Sequence, residues 1–476
     1  MLMYCSSTTR DVCTWTGIID NSEENLAFRI AADTSSARVT ALANMQRFEE
    51  MFNRCSYAAL SGTAVNSEDD WFSYLGNTTS VGFSPEEDNA PVYEIAAPNS
   101  TFRTSAKNIC FVDSAQYQRT VVAGKDQKGS ILQALAYDEN GYTQSQGVIA
   151  SPAMYQSITA SLISNDERRM LLCGNGTREK GLQQIDLESG QVVQEFVTGH
   201  DDYNIYGATY SNHSARLSDQ VVTCISSNVA FDIDTRLDPR RCLIAEDPSA
   251  YALGSLKTTF SCHATSEKGH LAIGDGNGSI RLYEGAPGSR VQGTNKTIPK
   301  TAKTLLETRT PIRALSMTAN GDYLLTTCDK VLYLLPTKYT DDAGKELDGY
   351  TSRMGKKKPA PIRLVPSPHQ IMQMGGEGAI HFTSATFGTV DNKADACITA
   401  CCGRFVLTWD LQNVIKASET NRLAVCGKAT MDTPVLSLAT RGTGTSLTLM
   451  TEENVSAAPV HRTMEKVQGF YFPKKK

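Results

Sequence analysis

The chain has 476 residues, with 46 Lys and Arg against 51 Asp and Glu, and a formal net charge of -5 at pH 7. This balance lacks the excess of cations that marks a nucleic-acid-binding surface, so we expect no nucleic-acid partner. Apolar runs stay shorter than the roughly 18 residues of a membrane span, and residues 1–15 lack the pattern of a signal peptide, so we expect no membrane insertion.

The cysteines indicate a reducing compartment. There are 13, an odd number, and no Cys-x-x-Cys pair occurs. Most lie inside apolar strand patterns, as expected of small core residues in an intracellular protein. We therefore expect a cytoplasmic chain, with the nucleus as the alternative compartment.

Residues 1–62 are predicted to form a small α+β segment of two strands and one helix. The strands are expected over 13–19 and 26–30, and apolar residues at helical spacing predict a helix over 35–60. Two strands followed by one amphipathic helix resemble the C-terminal part of a pleckstrin-homology or Ran-binding domain. Such a fragment buries little surface, so it either packs on the rest of the chain or is completed by another chain.

Residues 63–90 are predicted to be an acidic linker. This stretch is rich in Ser and Gly and contains Glu68-Asp69-Asp70 followed by Trp71 and Phe72. Exposed aromatic side chains are frequent anchors at interfaces, so we take Trp71 and Phe72 as candidate partner contacts.

Residues 91–460 are predicted to form an all-β, seven-bladed, WD40-like β-propeller. One complete cycle of strand, turn and strand is readable over 259–285, with a turn at Asp275-Gly276-Asn277-Gly278 that suits a two-residue hairpin. Similar strand endings recur about 50 residues apart, near the period of a four-stranded blade. The predicted blade signature comprises His200 of the Gly199-His200 pair and the strand endings Asp186, Asp234, Glu284, Trp409 and Asp410. A strand over 91–96 is expected to close the ring with the last blade.

Two basic segments are candidate partner contacts. The first is a polar insertion over 339–361 that carries Arg353, Lys356, Lys357 and Lys358; a solvated loop is the favoured interpretation, and a partner contact is the alternative. The second is the tail over 461–476, which combines Phe470, Tyr471 and Phe472 with a terminal run of lysines. This tail is expected to be either disordered or docked on a neighbour.

No motif points to catalysis, a metal or a cofactor. The seven histidines lack the spacing of a zinc site, and the Gly274-x-Gly276-x-Gly278 run leads into a strand, so it lacks the helix N-terminus that binds phosphate. We expect a non-enzymatic protein without cofactor or metal. A catalytic site in the propeller channel stays as an alternative, because such sites gather residues from several blades.

The blade segments together resemble the Vid-twenty-seven (vacuolar import and degradation) family. The resemblance covers roughly 150–425 and rests on the order of the runs at 185–190, 199–202, 231–237, 265–283, 311–328 and 405–411. It implies a cytoplasmic or nuclear, non-enzymatic propeller preceded by a pleckstrin-like domain, most of which we expect to be absent here.

Three functions are compatible with these features. We favour a scaffold for protein–protein interactions, because a propeller offers wide loop faces. The first alternative is an architectural subunit of a large assembly whose neighbours order the terminal segments. The second is an enzyme with its site in the channel. The partners are expected to be other proteins, of unknown identity.

Overall fold

The computed structural model describes residues 5–9, 12–19, 22–29 and 89–466, with short gaps in the last range. The gaps are at 115–117, 139–140, 152, 157, 165–167, 175–180, 199–202, 212–219, 246, 255–258, 292–293, 367, 420–423, 425 and 442–445. None of the described helices is long and apolar enough to cross a membrane.

The N-terminal segment contains a three-stranded antiparallel sheet. Its strands are β1 Cys5–Thr9, β2 Val12–Ile19 and β3 Ser22–Arg29, in the order β1-β2-β3. The structure therefore adds β1 to the two expected strands. The helix expected over 35–60 lies outside the described residues.

Seven antiparallel sheets form the seven blades of a β-propeller, as the sequence predicts. The first strands of neighbouring blades contact one another around the whole ring, so they line the central channel. Blade 1 consists of β6 Lys107–Ser114, β7 Arg119–Lys125, β8 Ser130–Asp138 and β9 Gly141–Ile149, after β4 Asn89–Ile95 and β5 Ser100–Arg103 of the last blade. Blade 2 consists of β10 Ile158–Ile163, β11 Arg169–Gly174, β12 Leu182–Asp186 and β13 Val192–Phe196.

Blade 3 has three regular strands, and the other central blades have four. Blade 3 consists of β14 Gly207–Tyr210, β15 Val221–Ile225 and β16 Ala230–Asp234. Its outer edge is covered by residues 242–244, because the amide of Asp234 donates to Cys242 O and the amide of Ile244 donates to Asp232 O. Blade 4 consists of β17 Phe260–Thr265, β18 Leu271–Asp275, β19 Ser279–Tyr283 and β20 Thr304–Glu307.

Blades 5 and 6 carry the extra elements. Blade 5 consists of β21 Ile312–Met317, β22 Tyr323–Cys328, β23 Leu332–Pro336 and β26 Ile362–Leu364, with the hairpin β24 Lys338–Thr340 and β25 Glu346–Asp348 inserted before β26. Blade 6 consists of β27 Phe382–Val390, β28 Lys393–Cys402, β29 Phe405–Asp410 and β30 Gly427–Thr430. Helix α1, Pro368–Gln373, precedes blade 6, and helix α2, Leu411–Glu419, links β29 to β30.

Blade 7 joins the two ends of the propeller. It consists of β31 Val435–Arg441, β32 Ser446–Thr451 and β33 Asn454–Lys466, and both β4 and β5 pair with β33. The expected closing strand is thus present. It begins at Asn89, inside the range assigned to the linker, and β33 continues to Lys466, past the expected end of the propeller at residue 460. Residues 461–466 are therefore strand residues and not tail.

The core lies between adjacent blades. Apolar residues of one blade pack against those of the next, as Val121 and Leu132 of blade 1 do against Ile158 and Leu172 of blade 2. The described residues form seven apolar clusters of this kind, one between each pair of neighbouring blades. Each buried aliphatic side chain in them contributes about 1.5–3 kcal/mol, so the clusters together hold the ring without one central core.

The turn between β18 and β19 corrects one prediction. The expected two-residue hairpin is a three-residue loop, because Gly274 pairs with Ile280 and the strands end at Asp275 and Ser279. Gly278 has φ +86°, and an added Cβ would lie 2.6 Å from Thr310 O, so the loop needs glycine there.

Candidate partner-binding surfaces

The predicted blade-signature residues stand where the sequence placed them. Asp186, Asp234 and Asp410 each end the third strand of a blade, and Glu284 follows directly after β19. Asp186 Oδ1 accepts hydrogen bonds from the amides of Glu188 and Ser189, at 3.1 and 2.7 Å, which holds the turn that follows. Asp186 therefore acts within its own blade. His200 lies outside the described residues.

Trp409 and Asp410 stabilise blade 6 from the inside. The Trp409 side chain is buried in the core between blades 5 and 6, next to Val414 of α2. Asp410 Oδ1 accepts from the amide of Asn413 at 2.9 Å and so caps α2. The hydroxyl of Tyr93 on the closing strand also bonds to Asp410, and burial together with that carboxylate raises the pKa of Tyr93. Asp410 thus connects the signature strand to the ring closure.

Polar side chains on the channel-lining strands bond from blade to blade. The hydroxyl of Thr209 in blade 3 lies 2.9 Å from His263 Nε2 in blade 4. The same nitrogen lies 3.2 Å from Thr223 O, so it carries the proton and donates. Burial lowers the pKa of His263 to about 4, so the ring is neutral near pH 7. Ser316 and Thr386 form a similar contact, 3.4 Å between their hydroxyls, across blades 5 and 6.

A buried polar cluster joins blade 7 to blade 1. The guanidinium of Arg441 lies 4.0 Å from the ring centre of Tyr137 and 4.5 Å from that of Tyr142. Arg441 also donates to Thr448 Oγ1, at 3.2 Å from Nη2. Nearby, Asp113 accepts from Thr120. Burial raises the pKa of Asp113, although the hydrogen bonds it accepts and the charge of Arg441 lower it in part. The cluster is enclosed between two blades, so it stabilises the ring.

The basic insertion is an ordered extension of blade 5 and not a simple solvated loop. Tyr350 is 0% exposed and stacks on His270 of blade 4, with 4.3 Å between ring centres. Met354 is buried in the same cluster, and the hydroxyl of Tyr339 donates to Arg353 O at 3.0 Å. These contacts fix the backbone that presents the basic residues.

The insertion brings the four predicted basic residues to one exposed stretch. Arg353, Lys356 and Lys358 are exposed, and Lys357 is half-buried and pairs with Asp342. In the part of the chain that the structure describes, the first three form no ion pair. The other predicted contacts, Trp71, Phe72, Phe470, Tyr471 and Phe472, lie outside the described residues.

The propeller face opposite the insertion carries a repeated β-bulge that the sequence did not predict. Strands alternate in direction within a blade, so the start of each first strand lies on the face opposite the insertion. In six blades the first strand has a β-bulge near its start. In blade 3, at the equivalent position, the amide of Tyr206 donates to Ile225 O. We call the seven residues at this position the bulge ring: Ile109, Thr159, Tyr206, Ser261, Arg313, Thr383 and Leu436.

A recess lined by residues of blades 2 to 5 adjoins the bulge ring, and a charged cluster lies beside it at blade 5. The recess has a volume of about 240 Å³ and is lined mostly by small residues, with Arg313 at one side. Arg313 Nη2 lies 2.9 Å from Asp329 Oδ1, and His381 Nδ1 lies 3.0 Å from the same oxygen. Lys330 Nζ lies 3.2 Å from His381 Nε2. Partial burial alone would raise the pKa of Asp329, but the hydrogen bond from His381 and the charge of Arg313 outweigh it and lower the pKa.

One signal in the sequence could have located this ring. In most blades a buried apolar residue comes first, the bulged residue second and a small residue third. The triplets are Ile158-Thr159-Ala160, Ile205-Tyr206-Gly207, Phe260-Ser261-Cys262, Ile312-Arg313-Ala314, Phe382-Thr383-Ser384 and Val435-Leu436-Ser437. The pattern is short and common, so it becomes informative only when the blade positions are known.

The described residues contain no cluster of His, Cys, Asp and Glu that could hold a metal ion. The ten cysteines from Cys110 to Cys426 form no disulfide bond in the described part of the chain, and Cys397, Cys401 and Cys402 are buried in β28. Their arrangement agrees with the core role expected of them.

Comparison with known proteins agrees with the fold. The model of the VID27 C-terminal WD40-like domain matches residues 143–425, which include blades 2 to 5 and most of blade 6. Vacuolar import and degradation protein 27 of Schizosaccharomyces pombe is 29% identical over 260 residues, covering 54% of this chain and 30% of that protein. The protein of the same name from Saccharomyces cerevisiae is 27% identical over 259 residues, covering 54% of this chain and 31% of that protein.

The chain thus spans about 30% of the length of the curated relatives it matches. The family match covers more than half of the chain and ends short of blade 7, where the ring closes. On this match the chain belongs to the VID27 family, through its WD40-like propeller domain.

Proposed function

We propose that this chain is a non-enzymatic scaffold that holds other proteins on the loop faces of its propeller. VID27 family membership and the propeller fold support a role in protein interaction. The observation that carries the scaffold proposal is the ordered basic insertion. It places at the surface three cations that form no ion pair with any described residue, on a backbone held by buried Tyr350 and Met354. A preorganised surface loses little conformational entropy when a partner binds.

The charge of the insertion indicates an acidic partner surface. Arg353, Lys356 and Lys358 are exposed and form no ion pair among the described residues, whereas Lys357 is already paired with Asp342. Unpaired surface cations speed the approach of an acidic partner and fix its orientation, and they do so less at high salt.

The channel supports the non-enzymatic part of the proposal. His263 is neutral and bonded to blade 3, and Ser316 bonds to blade 6, so these side chains act in contacts between blades. We place the protein in the cytoplasm, with the nucleus as the alternative. The relatives' name refers to vacuolar import and degradation, and only the binding role is proposed here for this chain.

Quantitative affinity purification from native extract tests the scaffold. The bait is the full chain, compared with the triple variant R353E/K356E/K358E and with a matched charge-reversal control at exposed sites elsewhere, K125E/K128E/K393E. We expect reproducible partners with acidic surfaces whose recovery falls at least about tenfold for the insertion variant and is unchanged for the control, a difference of about 1.4 kcal/mol. Equal recovery with all three baits, or no reproducible partner, would contradict the proposal.

A further inference from the structure

We propose that the bulge ring is a second docking site, which takes a peptide segment of a protein partner with a carboxylate next to a bulky apolar side chain. This inference deepens the proposed scaffold function, because it assigns a partner chemistry to the face opposite the insertion. It depends on three observations: the repeated bulge, the composition of the ring and the charge beside the recess.

At the mouth of the channel, the repeated β-bulge interrupts the pairing of the first strand with the second and changes the direction of the bulged side chain. A β-bulge adds one residue to one strand, so that residue is unpaired and its side chain is re-aimed. Here Thr159, Ser261, Arg313, Thr383 and Leu436 are all exposed, although the residue before each of them is buried. The small residue after each bulge leaves room around the turned-out side chain. The mouth of the channel is therefore surrounded by side chains that are exposed to solvent in six of the seven blades.

The ring contains residue types that anchor interfaces. Tyr206 is 40% exposed and Leu436 is 37% exposed, which is unusual for side chains of this size at the inner edge of a sheet. Arg313 has a side chain that is 51% exposed. Tyrosine and arginine are enriched among the residues that contribute most to binding between proteins. The polar Thr159, Ser261 and Thr383 stand between these three, and their hydroxyls donate to the backbone oxygens of Cys173, Ile312 and Val435, so the polar part of the ring is held in place by the blades.

The charge at blade 5 selects a carboxylate. Lys330 and Arg313 carry two permanent positive charges, and Asp329 supplies the single carboxylate between them. His381 lies between Asp329 and Lys330, with Nδ1 3.0 Å from Asp329 Oδ1 and Nε2 3.2 Å from Lys330 Nζ. With two cations and one carboxylate, the cluster keeps a net positive charge. A partner carboxylate can reach the guanidinium of Arg313 without displacing Asp329, because that guanidinium has five donors in a fork.

The recess is the predicted binding site for the bulky apolar side chain that lies next to the carboxylate of the peptide. Its volume of about 240 Å³ is enough for one leucine-sized or phenylalanine-sized side chain, and the small or apolar residues of its lining, such as Ala160, Gly207, Ala314 and Leu315, outnumber the polar Thr209, Ser261 and His263. Arg313 forms one side of this recess, so a side chain placed in it brings the adjacent peptide residue next to the guanidinium. An acidic residue beside an apolar one satisfies both groups at once.

Selection from a random peptide library on phage tests the assignment, with the full chain immobilised. Selected peptides are synthesised and their Kd is measured by fluorescence anisotropy. We expect a consensus with Asp or Glu next to Leu, Met or Phe. R313E and L436D should weaken binding at least about tenfold, and K356E/K358E on the insertion should leave it unchanged. T383E adds a negative charge beside the site and serves if R313E fails to fold.

Three outcomes overturn the inference: no enriched consensus, a consensus without an acidic residue, or binding that R313E and T383E leave unchanged. Binding lost only in K356E/K358E would move the site to the insertion. Failure here leaves the affinity purification with the insertion variant as a separate test, so the bulge ring and the scaffold can fail independently.

Discussion

Two buried residues with polar or charged side chains, Arg441 and His263, stabilise contacts between neighbouring blades. Arg441 closes the contact between blades 7 and 1, and His263 bonds blade 4 to blade 3. Neither was singled out from the sequence, because a lone Arg or His in a strand pattern has many roles. Only the packing of two blades shows that Arg441 lies between Tyr137 and Tyr142.

Replacing Arg441 should destabilise the protein in a pH-dependent way. In R441M the buried Asp113 carboxyl loses a nearby positive charge, and Tyr137 and Tyr142 lose the guanidinium packed against their rings, so we expect a loss of about 1–3 kcal/mol in the free energy of unfolding at pH 7.5. Arg441 lowers the pKa of Asp113, so its removal raises that pKa further. Protonation of Asp113 then removes the buried charge, and the loss should shrink as the pH falls.

Urea unfolding measures this effect, and the double variant D113N/R441M is its control. With both charges removed, the cost should be clearly smaller than that of R441M alone. If R441M and D113N/R441M lose the same free energy at every pH, the charge of Arg441 does not act on Asp113.

His263 should make stability fall on acidification. Its pKa in the folded protein is about 4, below the ordinary value of about 6.5 in the unfolded chain. The unfolded state therefore binds more protons in this range, and stability decreases as the pH falls from about 6.5 to about 4. The difference of about 2.5 pKa units corresponds to a contribution on the order of 3 kcal/mol.

The variant H263Q isolates this contribution, because an amide side chain can still donate to Thr223 O and does not titrate. The free energies of unfolding of the two proteins should diverge between pH 7 and pH 4, with the natural protein losing more. Parallel pH profiles would show that His263 is not the buried neutral group described here.

Among the elements, the sequence predicted the regular parts better than the added ones. Strand endings such as Trp409-Asp410 and the turn residues around Gly278 have local causes, so they could be read from the chain. A further ending of this kind, Tyr137-Asp138 at the end of β8, was missed. The sequence could not predict that the insertion has a fixed conformation, because Tyr350 stacks on His270, which belongs to another blade. The bulge ring depends on strand register, which composition alone does not reveal.

The insertion should detach when its buried tyrosine is removed. Y350A deletes an aromatic side chain with no exposed surface, for which we expect a loss of about 3–5 kcal/mol. Because the anchor of the loop is lost, trypsin should cut after Arg353 and Lys356 much faster than in the natural protein. Limited proteolysis followed by mass spectrometry measures the cutting rate.

The matched control is Y206A, which truncates a tyrosine that is 40% exposed and should cost less than about 1 kcal/mol. If Y350A leaves the cutting rate at Arg353 unchanged, the insertion is held by other contacts than those assigned to Tyr350.

At the scale of the whole molecule, ring closure makes the propeller one cooperative unit. Blade 7 is built from β4 near residue 90 and β31 to β33 near the C-terminal end, so its formation needs contacts across most of the chain. Without β4 and β5, the outer edge of β33 would expose unpaired backbone groups. The sequence predicted this closure, although it placed the start of the propeller two residues late, at 91 instead of Asn89, and its end six residues early, at 460 instead of Lys466.

Tyr93 provides the test of closure. Y93A removes a buried ring and its bond to Asp410, so the whole propeller should lose about 3–5 kcal/mol and still unfold in one transition. Y93F loses only the hydroxyl bond and should cost about 1 kcal/mol. Hydrogen exchange should speed up in β4 and β33 together in Y93A. Faster exchange confined to β4 would contradict a closure that β33 shares.

The most direct test of the account is hydrogen exchange on the chain isolated with its native partners, compared with the chain alone. The account predicts slower exchange on the loop faces, in the insertion around residues 350–360 or in the segments that begin the inner strands at Tyr206, Arg313 and Leu436. Slower exchange only on the outer strands, with both faces unchanged, would contradict a scaffold that binds through its loops.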